Sequence, residues 1–485
     1  MASEKTERMG ALIGRESEKR ILSDILNSNQ AELLAIYGRR RVGKTYLIRT
    51  FFEKNITFEL TGLLEESLSR QLDNFAHQVS VMLNKGKPVR QPKNWLEAFR
   101  ILTQYLESQR GTRKQVIFLD EFPWLETPRS GFLAAFDHFW NNWAVKQSRL
   151  AVVICGSAAS WMIQKVVNHR GGLHNRLTRR IRLLPFNLAE TENFLKSRKV
   201  VLNRYQILQL YMVIGGIPHY LKEIKPGESS IQIIDRLCFS KDGLLTTEFH
   251  NLYAALFRHS ERHEALVRML AGRSMGLTRA EIVAGSNLQS GGSTSRLLEE
   301  LIESGFITAQ VPFGKTLKDS IYKLTDEFSL FYLKFMDKSR ANGEGTWIKK
   351  SQSSSWKSWS GLAFEQICQK HFPQIKKSLG INGIHSEVSA WRSNSKAEDG
   401  AQIDLVIDRN DQCINLCEIK FSIAPFEITK SYAVQLEQKR VLFHQKTKTR
   451  KTLFITLITT FGLQQNAHST NLVQNEISME SLFSE

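Results

Sequence analysis

The chain has 485 residues, 42% of them hydrophobic and 24% charged, and a formal net charge of +18 from 66 basic and 48 acidic residues. That length implies about three domains rather than one core, and the composition is that of a globular protein. No stretch reaches the ~18 uninterrupted apolar residues of a membrane-spanning helix. Residues 1–8 are polar and lead into no apolar signal core. The five cysteines, at 155, 238, 368, 413 and 417, form no Cys-x-x-Cys pair, which argues against a disulfide framework or a zinc site and for a reducing, cytoplasmic setting. Residues 361–485 hold 14 Lys+Arg and 13 Asp+Glu, so +17 of the net charge lies in residues 1–360. An excess of that size favours a polyanionic partner, with solubility charge as the plainer alternative.

In chain order, Ile13-Gly14-Arg15-Glu16 precedes a predicted helix over 18–26, whose Ile21, Leu22, Ile25 and Leu26 share one face. Residues 33–37 are a continuous apolar run, the pattern of a buried strand. Then comes Gly38-Arg39-Arg40-Arg41-Val42-Gly43-Lys44-Thr45, a Gly-x-x-x-x-Gly-Lys-Thr motif leading through Tyr46 into a helical pattern. Strand, motif and helix together predict a phosphate-binding loop. The glycines let the backbone N–H groups converge on phosphate oxygens, and the helix adds the positive end of its dipole. Lys44 is expected to reach the β- and γ-phosphates of ATP, and Thr45 to place its hydroxyl on Mg²⁺.

A strand over 56–60 and helices over 64–84 and 94–109 follow. Gln115-Val116-Ile117-Phe118-Leu119-Asp120-Glu121 is a second apolar strand, ending in two carboxylates. Ligands gather at the carboxyl ends of parallel strands, so Asp120 is expected to hold Mg²⁺ through water and Glu121 to orient or deprotonate the attacking water. Pro123 ends the strand. Phe132, Phe136, Phe139, Trp140 and Trp143 lie at helical spacing and are read as core. Residues 150–157 form a third buried strand. Its terminal Ser157 can cap the helix through Trp161 and Met162, which leaves it open to a second role. Gly171 and Gly172 open a basic turn that carries His174, Asn175 and Arg176 to a strand over 181–184. Arg176 is the candidate to complete the phosphate site as an arginine finger does; a solvated arginine or a nucleic-acid contact fits its sequence equally. Helices are predicted over 188–198 and 203–224, the second broken at Gly215-Gly216-Ile217-Pro218-His219-Tyr220-Leu221.

The order of these segments resembles the archaeal-type ATPase family, within the AAA+/STAND class, over roughly residues 10–340. That resemblance implies a P-loop α/β core at 10–185 and a helical lid at 186–255. It implies that Arg15 packs beside the adenine, that Ser157 reads the γ-phosphate or its water, and that Pro218 belongs to an element closing over the nucleotide base. The family carries a Tyr-Gly-Arg-like stretch where this chain has His174-Asn175-Arg176.

Residues 256–337 are predicted to form a winged helix-turn-helix module, with helices over 261–271, 278–286 and 291–304 and wing strands over 307–311 and 320–324. Ser293, Thr294, Ser295 and Arg296 would begin its recognition helix; a packing or lid role for the module is the alternative. Residues 328–336 are an aromatic helix. Residues 338–355, polar and rich in Gly and Ser, are predicted to be a linker.

Residues 356–485 carry a second constellation. Glu365 lies on an amphipathic helix, Asp404 on a strand over 402–407, and Glu418 and Lys420 on the next strand. Alternation places Glu418 and Lys420 on one face. The Asp-x(13)-Glu-x-Lys pattern resembles the PD-(D/E)XK nuclease core, with Glu365 as its helix carboxylate. The resemblance implies that Glu365, Asp404 and Glu418 hold Mg²⁺ or Mn²⁺, with Lys420 assisting phosphodiester hydrolysis. Lys430, Tyr432, Gln435 and Lys439 follow on a helix within reach of a phosphate. The expected protein is therefore an α/β ATPase with a helical and winged-helix extension and a nuclease-like domain. DNA is the expected partner, and a nucleotide-dependent homo-oligomer the expected assembly. Two other readings stand beside it: a nucleotide-switched DNA-binding regulator whose C-terminal domain is catalytically silent, and a STAND scaffold that needs no nucleic acid.

Overall fold

The structure is a computed structural model that describes residues 12–109, 111–157, 159–167, 173–257, 260–286, 291–337, 343–393 and 400–484. Gly171, Gly172 and the first part of the expected linker, 338–342, lie outside the described residues, as does the side chain of His174. The chain divides into two compact units, 1–185 and 186–485.

The first unit is built on five parallel strands: β1 (Glu32–Tyr37), β2 (Ile56–Thr61), β3 (Gln115–Asp120), β4 (Leu150–Gly156) and β5 (Arg179–Arg182), in the order β2-β3-β4-β1-β5. Every residue of β1 and β4 is buried, and all of β3 except Gln115, as expected of strands covered on both faces. The chain leaves β1 for the β2 side of the sheet and returns from β4 to β5 on the other. The strands flanking β1 therefore come from opposite halves of the winding, the place where α/β sheets open a crevice. Register sets the strand ends level: Tyr37 pairs with Gly156, and Leu119 with Ile154. The aromatics of helix Phe132–Asn142 are core. Phe132, Phe136, Phe139 and Trp140 are buried, Phe99 stacks on Phe139 at 4.9 Å, and Trp95 meets Phe132 edge-on at 4.8 Å. Trp143 is only partly buried, its indole N–H donating to Glu107 Oε1 at 2.7 Å.

In the second unit, helix Arg204–Ile214 stops at Gly215, whose φ is +62°, and a short helix, Pro218–Leu221, follows. The sequence between them is confined by contact. Phe186 N–H donates to Gly216 O at 2.7 Å, and a Cβ on Gly216 would lie 1.9 Å from Phe186 O. Three short antiparallel strands come next, β6 (Leu277–Thr278), β7 (Ile307–Gln310) and β8 (Ile321–Leu324), ordered β6-β8-β7. Helices Ser260–Ala271, Arg279–Gly285 and Gly292–Glu303 accompany them. In the last of these Ser293, Ser295 and Arg296 are exposed, but Thr294 is fully buried. The loop between β7 and β8 is tied down: Phe313 N–H donates to Ala390 O at 3.0 Å, and its ring lies 5.1 Å from Phe443.

The C-terminal sheet has strands β9 (Ser386–Arg392), β10 (Gln402–Arg409), β11 (Cys413–Lys420), β12 (Thr452–Thr459) and β13 (Asn475–Ser478), ordered β13-β12-β11-β10-β9. It is antiparallel from β9 to β11 and parallel from β11 to β13. The stretch expected as a linker is packed in its second half. Helix Thr346–Lys350 buries Trp347, which stacks on Phe239 at 5.7 Å, and the Asp235 carboxylate accepts from Gly345 N–H at 2.7 Å and Trp347 N–H at 2.6 Å. One indole and one buried acceptor outweigh the polar composition around them.

His371 joins two helices of this unit. Its Nδ1–H donates to Ile367 O at 2.8 Å, and its bare Nε2 accepts from Leu188 N–H at 3.0 Å. Burial lowers its pKa from 6.5 to about 4. The unfolded chain therefore takes up this proton more readily than the native one, and stability falls as pH drops from about 6.5 towards 4. A denaturant titration across that window should show a loss of about 3 kcal/mol that is absent from His371→Gln at equal ionic strength.

Candidate active site

The loop after β1 owes its path to steric limits. Gly38 has φ +143°, and a Cβ there would lie 2.4 Å from Leu183 O. Gly43 has φ +91° at the N-cap of helix Lys44–Phe51, and a Cβ there would have nothing within 4 Å. The first glycine permits close packing against the next strand's exit; the second leaves space in front of the helix N-terminus. Arg41 also adopts a left-handed φ of +70°, Arg39 is buried, and Arg40 and Tyr46 are exposed. Val42 is buried, and its carbonyl accepts from Arg15 Nη2 at 3.2 Å. Arg15, itself buried, thus braces the loop from the N-terminal helix.

Lys44 is 7% exposed, and its Nζ donates to Gly38 O and Arg39 O, each at 2.9 Å. Burial lowers its pKa, opposed by the charges of Glu121 and Asp120. Thr45 Oγ1 donates to Asp120 Oδ2 at 2.9 Å, and the other oxygen of Asp120 accepts from Glu121 N–H at 3.0 Å. Glu121 has a left-handed backbone, φ +44°, which turns the chain sharply out of β3. Ser157, just beyond β4, donates its Oγ to Glu121 Oε2 at 2.8 Å, with its N–H at 3.4 Å from the same oxygen. Burial raises the thiol pKa of neighbouring Cys155, with Asp120 adding to the effect, so that group stays neutral.

The structure thus brings together Lys44, Thr45, Asp120, Glu121 and Ser157 at the ends of three neighbouring strands. These residues fit Mg²⁺ and a nucleotide: a buried ammonium held by two loop carbonyls, a hydroxyl and a carboxylate already in contact, and open space before the helix. The Ser157–Glu121 bond was not anticipated; a serine one residue past a buried strand beside an Asp-Glu end is the signal that could have found it. Arg176 is ion-paired with Asp137 on helix Phe132–Asn142. Pro218 opens its short helix at the first position.

The second constellation lies wholly in the second unit. β10 and β11 are neighbours, with Leu405 opposite Cys417, and Asp404 Oδ2 accepts from Ile419 N–H at 3.0 Å. Glu418 is 3% exposed. Both of its oxygens accept from Lys439 Nζ at 2.7 Å, Tyr432 O–H donates to Oε2 at 3.2 Å, and Lys420 Nζ is 3.6 Å from Oε2. Burial and the charge of Asp404 raise the pKa of Glu418 and push that of Glu365 up to about 8. Lys323, on β8, faces Glu365 and Asp404; its own pKa is lowered by burial.

Among the described residues no group of three or more His, Cys, Asp or Glu side chains is placed to hold a metal ion. The expected ligands Glu365, Asp404 and Glu418 do not form such a group; in this arrangement both oxygens of Glu418 are engaged by Lys439. Tyr432 and Lys439, expected near a phosphate, bind Glu418 instead. Sequence spacing could not reveal Lys323, which arrives from a strand some eighty residues upstream of Asp404. No helix among the described residues is long and apolar enough to cross a membrane.

Residues 12–224 match the family model described as an ATPase domain predominantly from Archaea. An uncharacterized protein of Methanocaldococcus jannaschii, MJECL04, is 23% identical over 413 residues, covering 84% of this chain and 87% of that protein. From the same archaeon, an uncharacterized ATP-binding protein, MJ0423, is 49% identical over 41 residues, 8% of this chain and 70% of its own length. Among solved structures, the Walker-type ATPase PABY2304 of Pyrococcus abyssi is similar at 18% identity and a TM-score of 0.46, covering 66% of this chain and 96% of that one. Cdc6p from Pyrobaculum aerophilum is similar at 12% identity and a TM-score of 0.35, covering 75% and 97%. The part of the chain that is similar to this archaeal ATPase domain, residues 12–224, is the part that holds the glycine loop, the buried lysine and the paired Thr45 and Asp120 at the ends of parallel strands.

Proposed function

We propose that this chain binds ATP with Mg²⁺ on the loop 38–45 and hydrolyses it with Glu121, and that it acts on DNA. The observation that carries the first part is the hydrogen bond between Thr45 and Asp120, which presents a hydroxyl and a carboxylate side by side next to a buried lysine. Lys44 exchanges its two loop carbonyls for phosphate oxygens, at little cost because both partners accept from the same ammonium. Thr45 and Asp120 hold the cation, which supplies charge neutralisation on the phosphates when bound. Glu121 orients the attacking water and accepts its proton. Ser157 is a positioning residue: its hydroxyl fixes the Glu121 carboxylate. The amides of Gly43, Lys44 and Thr45 stabilise phosphate charge at the helix N-terminus.

The DNA reading rests on the +17 carried by residues 1–360 and on exposed Ser293, Ser295 and Arg296 at a helix start. We read the module at 256–337 as a winged helix whose recognition helix is open to a partner, while its wing loop is tied down through Phe313. The C-terminal domain is read as a nuclease-like scaffold that binds without cutting. What favours this over cleavage is the engagement of both Glu418 oxygens by Lys439. The chain then acts as a nucleotide-switched DNA-binding regulator.

Lys44→Ala should lose ATP binding in a fluorescent-nucleotide titration. Glu121→Gln should keep it while turnover falls by about 100-fold or more, and equal turnover in Glu121→Gln and the parent would remove Glu121 from the mechanism. Ser157→Ala should leave nucleotide affinity unchanged and lower kcat by about tenfold, because one hydrogen bond of roughly 1–1.5 kcal/mol is lost only from the water-orienting group. For DNA, a labelled duplex should bind the full chain and be released by about 10-fold or more between roughly 50 and 200 mM salt, as counterion release requires, and Arg296→Glu should weaken it. No binding at low salt would leave the charge as solubility charge.

A further inference from the structure

Glu418, two residues before the end of β11, lies almost wholly out of solvent. A carboxylate that ligates Mg²⁺ or Mn²⁺ must offer a free lone pair at about 2.1 Å. Here a single ammonium, Lys439 Nζ, sits 2.7 Å from each oxygen, across the open edge of the carboxylate where a bidentate cation would lie. Tyr432 O–H approaches Oε2 from the same helix, Lys430–Thr447, at 3.2 Å. Asp404 gives Oδ2 to the Ile419 N–H. Lys420 lies 3.6 Å from Glu418 Oε2, with its Nζ 5.4 Å from the centre of the Tyr432 ring. Lys323 faces Glu365 and Asp404 from β8, and β8 is fastened to the helix bearing Glu365, because Gln366 Nε2 donates to Leu324 O at 3.2 Å. Glu365, Asp404 and Glu418 are thus matched by Lys323, Lys420 and Lys439. A buried cluster balanced in this way has no surplus negative charge to draw a divalent cation out of its hydration shell.

We propose that Lys439 occupies the divalent-cation position of the C-terminal site and keeps metal out. This inference rests on reading Asp404, Glu418 and Lys420 as a nuclease-like constellation. It makes the domain a scaffold whose charge balance is internal, and it makes Lys439 the residue that separates a silent site from a metal-binding one. Lys439 is about a quarter exposed and Glu418 only 4%. The lysine therefore reaches in from the helix surface, and its removal strands a buried carboxylate.

The test uses Mn²⁺ itself, with uptake by the full, nucleotide-free chain followed by electron paramagnetic resonance. The parent and Asp404→Asn should take up equal amounts, any shared binding belonging to other sites. Lys439→Met should gain bound Mn²⁺, and the double variant Lys439→Met/Asp404→Asn should lose that gain. Lys439→Arg, which keeps the charge, should gain none. Thermal melting and ATP turnover report whether Lys439→Met is folded; if it is not, Lys439→Gln replaces it in the same comparison. Two outcomes overturn the proposal and are distinguishable. If the parent takes up more Mn²⁺ than Asp404→Asn, the lysine does not exclude metal, and the nuclease-like reading stands without it. If folded Lys439→Met takes up no more than the parent, the cluster is no cation site at all, and the nuclease-like reading fails as well.

Discussion

The hydrogen bond from Thr45 Oγ1 to Asp120 Oδ2 spans 75 residues of sequence and depends on nearly everything in the first unit. It requires the ends of β1 and β3 to lie level with β4 between them, and the pairings Tyr37–Gly156 and Leu119–Ile154 provide that. It requires the loop to turn at Gly38, where a Cβ would collide with Leu183 O, and at Gly43, whose φ of +91° side-chain-bearing residues rarely adopt. It also requires β3 to stop at Asp120, where Glu121 turns the chain with a left-handed backbone. A slip of one residue between β3 and β4 would move Asp120 to the opposite face of the sheet.

Electrostatics differ between the two sites, and the difference explains their chemistry. Around the loop, Lys44 is satisfied by neutral carbonyls, so its charge remains available to a phosphate. In the C-terminal cluster, Lys439 is satisfied by a carboxylate, and its charge is spent internally. Only the first can trade partners without stranding a buried anion.

What could be read in the sequence was what short-range physics dictates. The glycine loop, the continuous apolar strands and the Asp120–Glu121 end follow from steric limits and burial within a few residues. So does the break at Gly215 to Pro218, where a left-handed glycine and a proline interrupt one helical pattern. The expected linker failed because a single buried indole, Trp347, and one carboxylate, Asp235, outweigh a polar composition. Lys439 on Glu418 and Lys323 beside Glu365 were not legible. Each depends on side chains from separate elements meeting in space, and neither leaves a periodic trace. Asp404 and Glu418 lie on neighbouring strands, as their spacing implies; the lysines that meet Glu418 are a property of the packed cluster.

The central claim is that Lys44 is held in readiness by carbonyls and passes to phosphate. A crystal structure with a non-hydrolysable ATP analogue and Mg²⁺ tests it most directly. The account predicts that Lys44 Nζ leaves Gly38 O and Arg39 O for the β- and γ-phosphate oxygens, with Thr45 and Asp120 on the Mg²⁺ side. An analogue bound away from the loop, or one bound there with Lys44 still on both carbonyls, would contradict it.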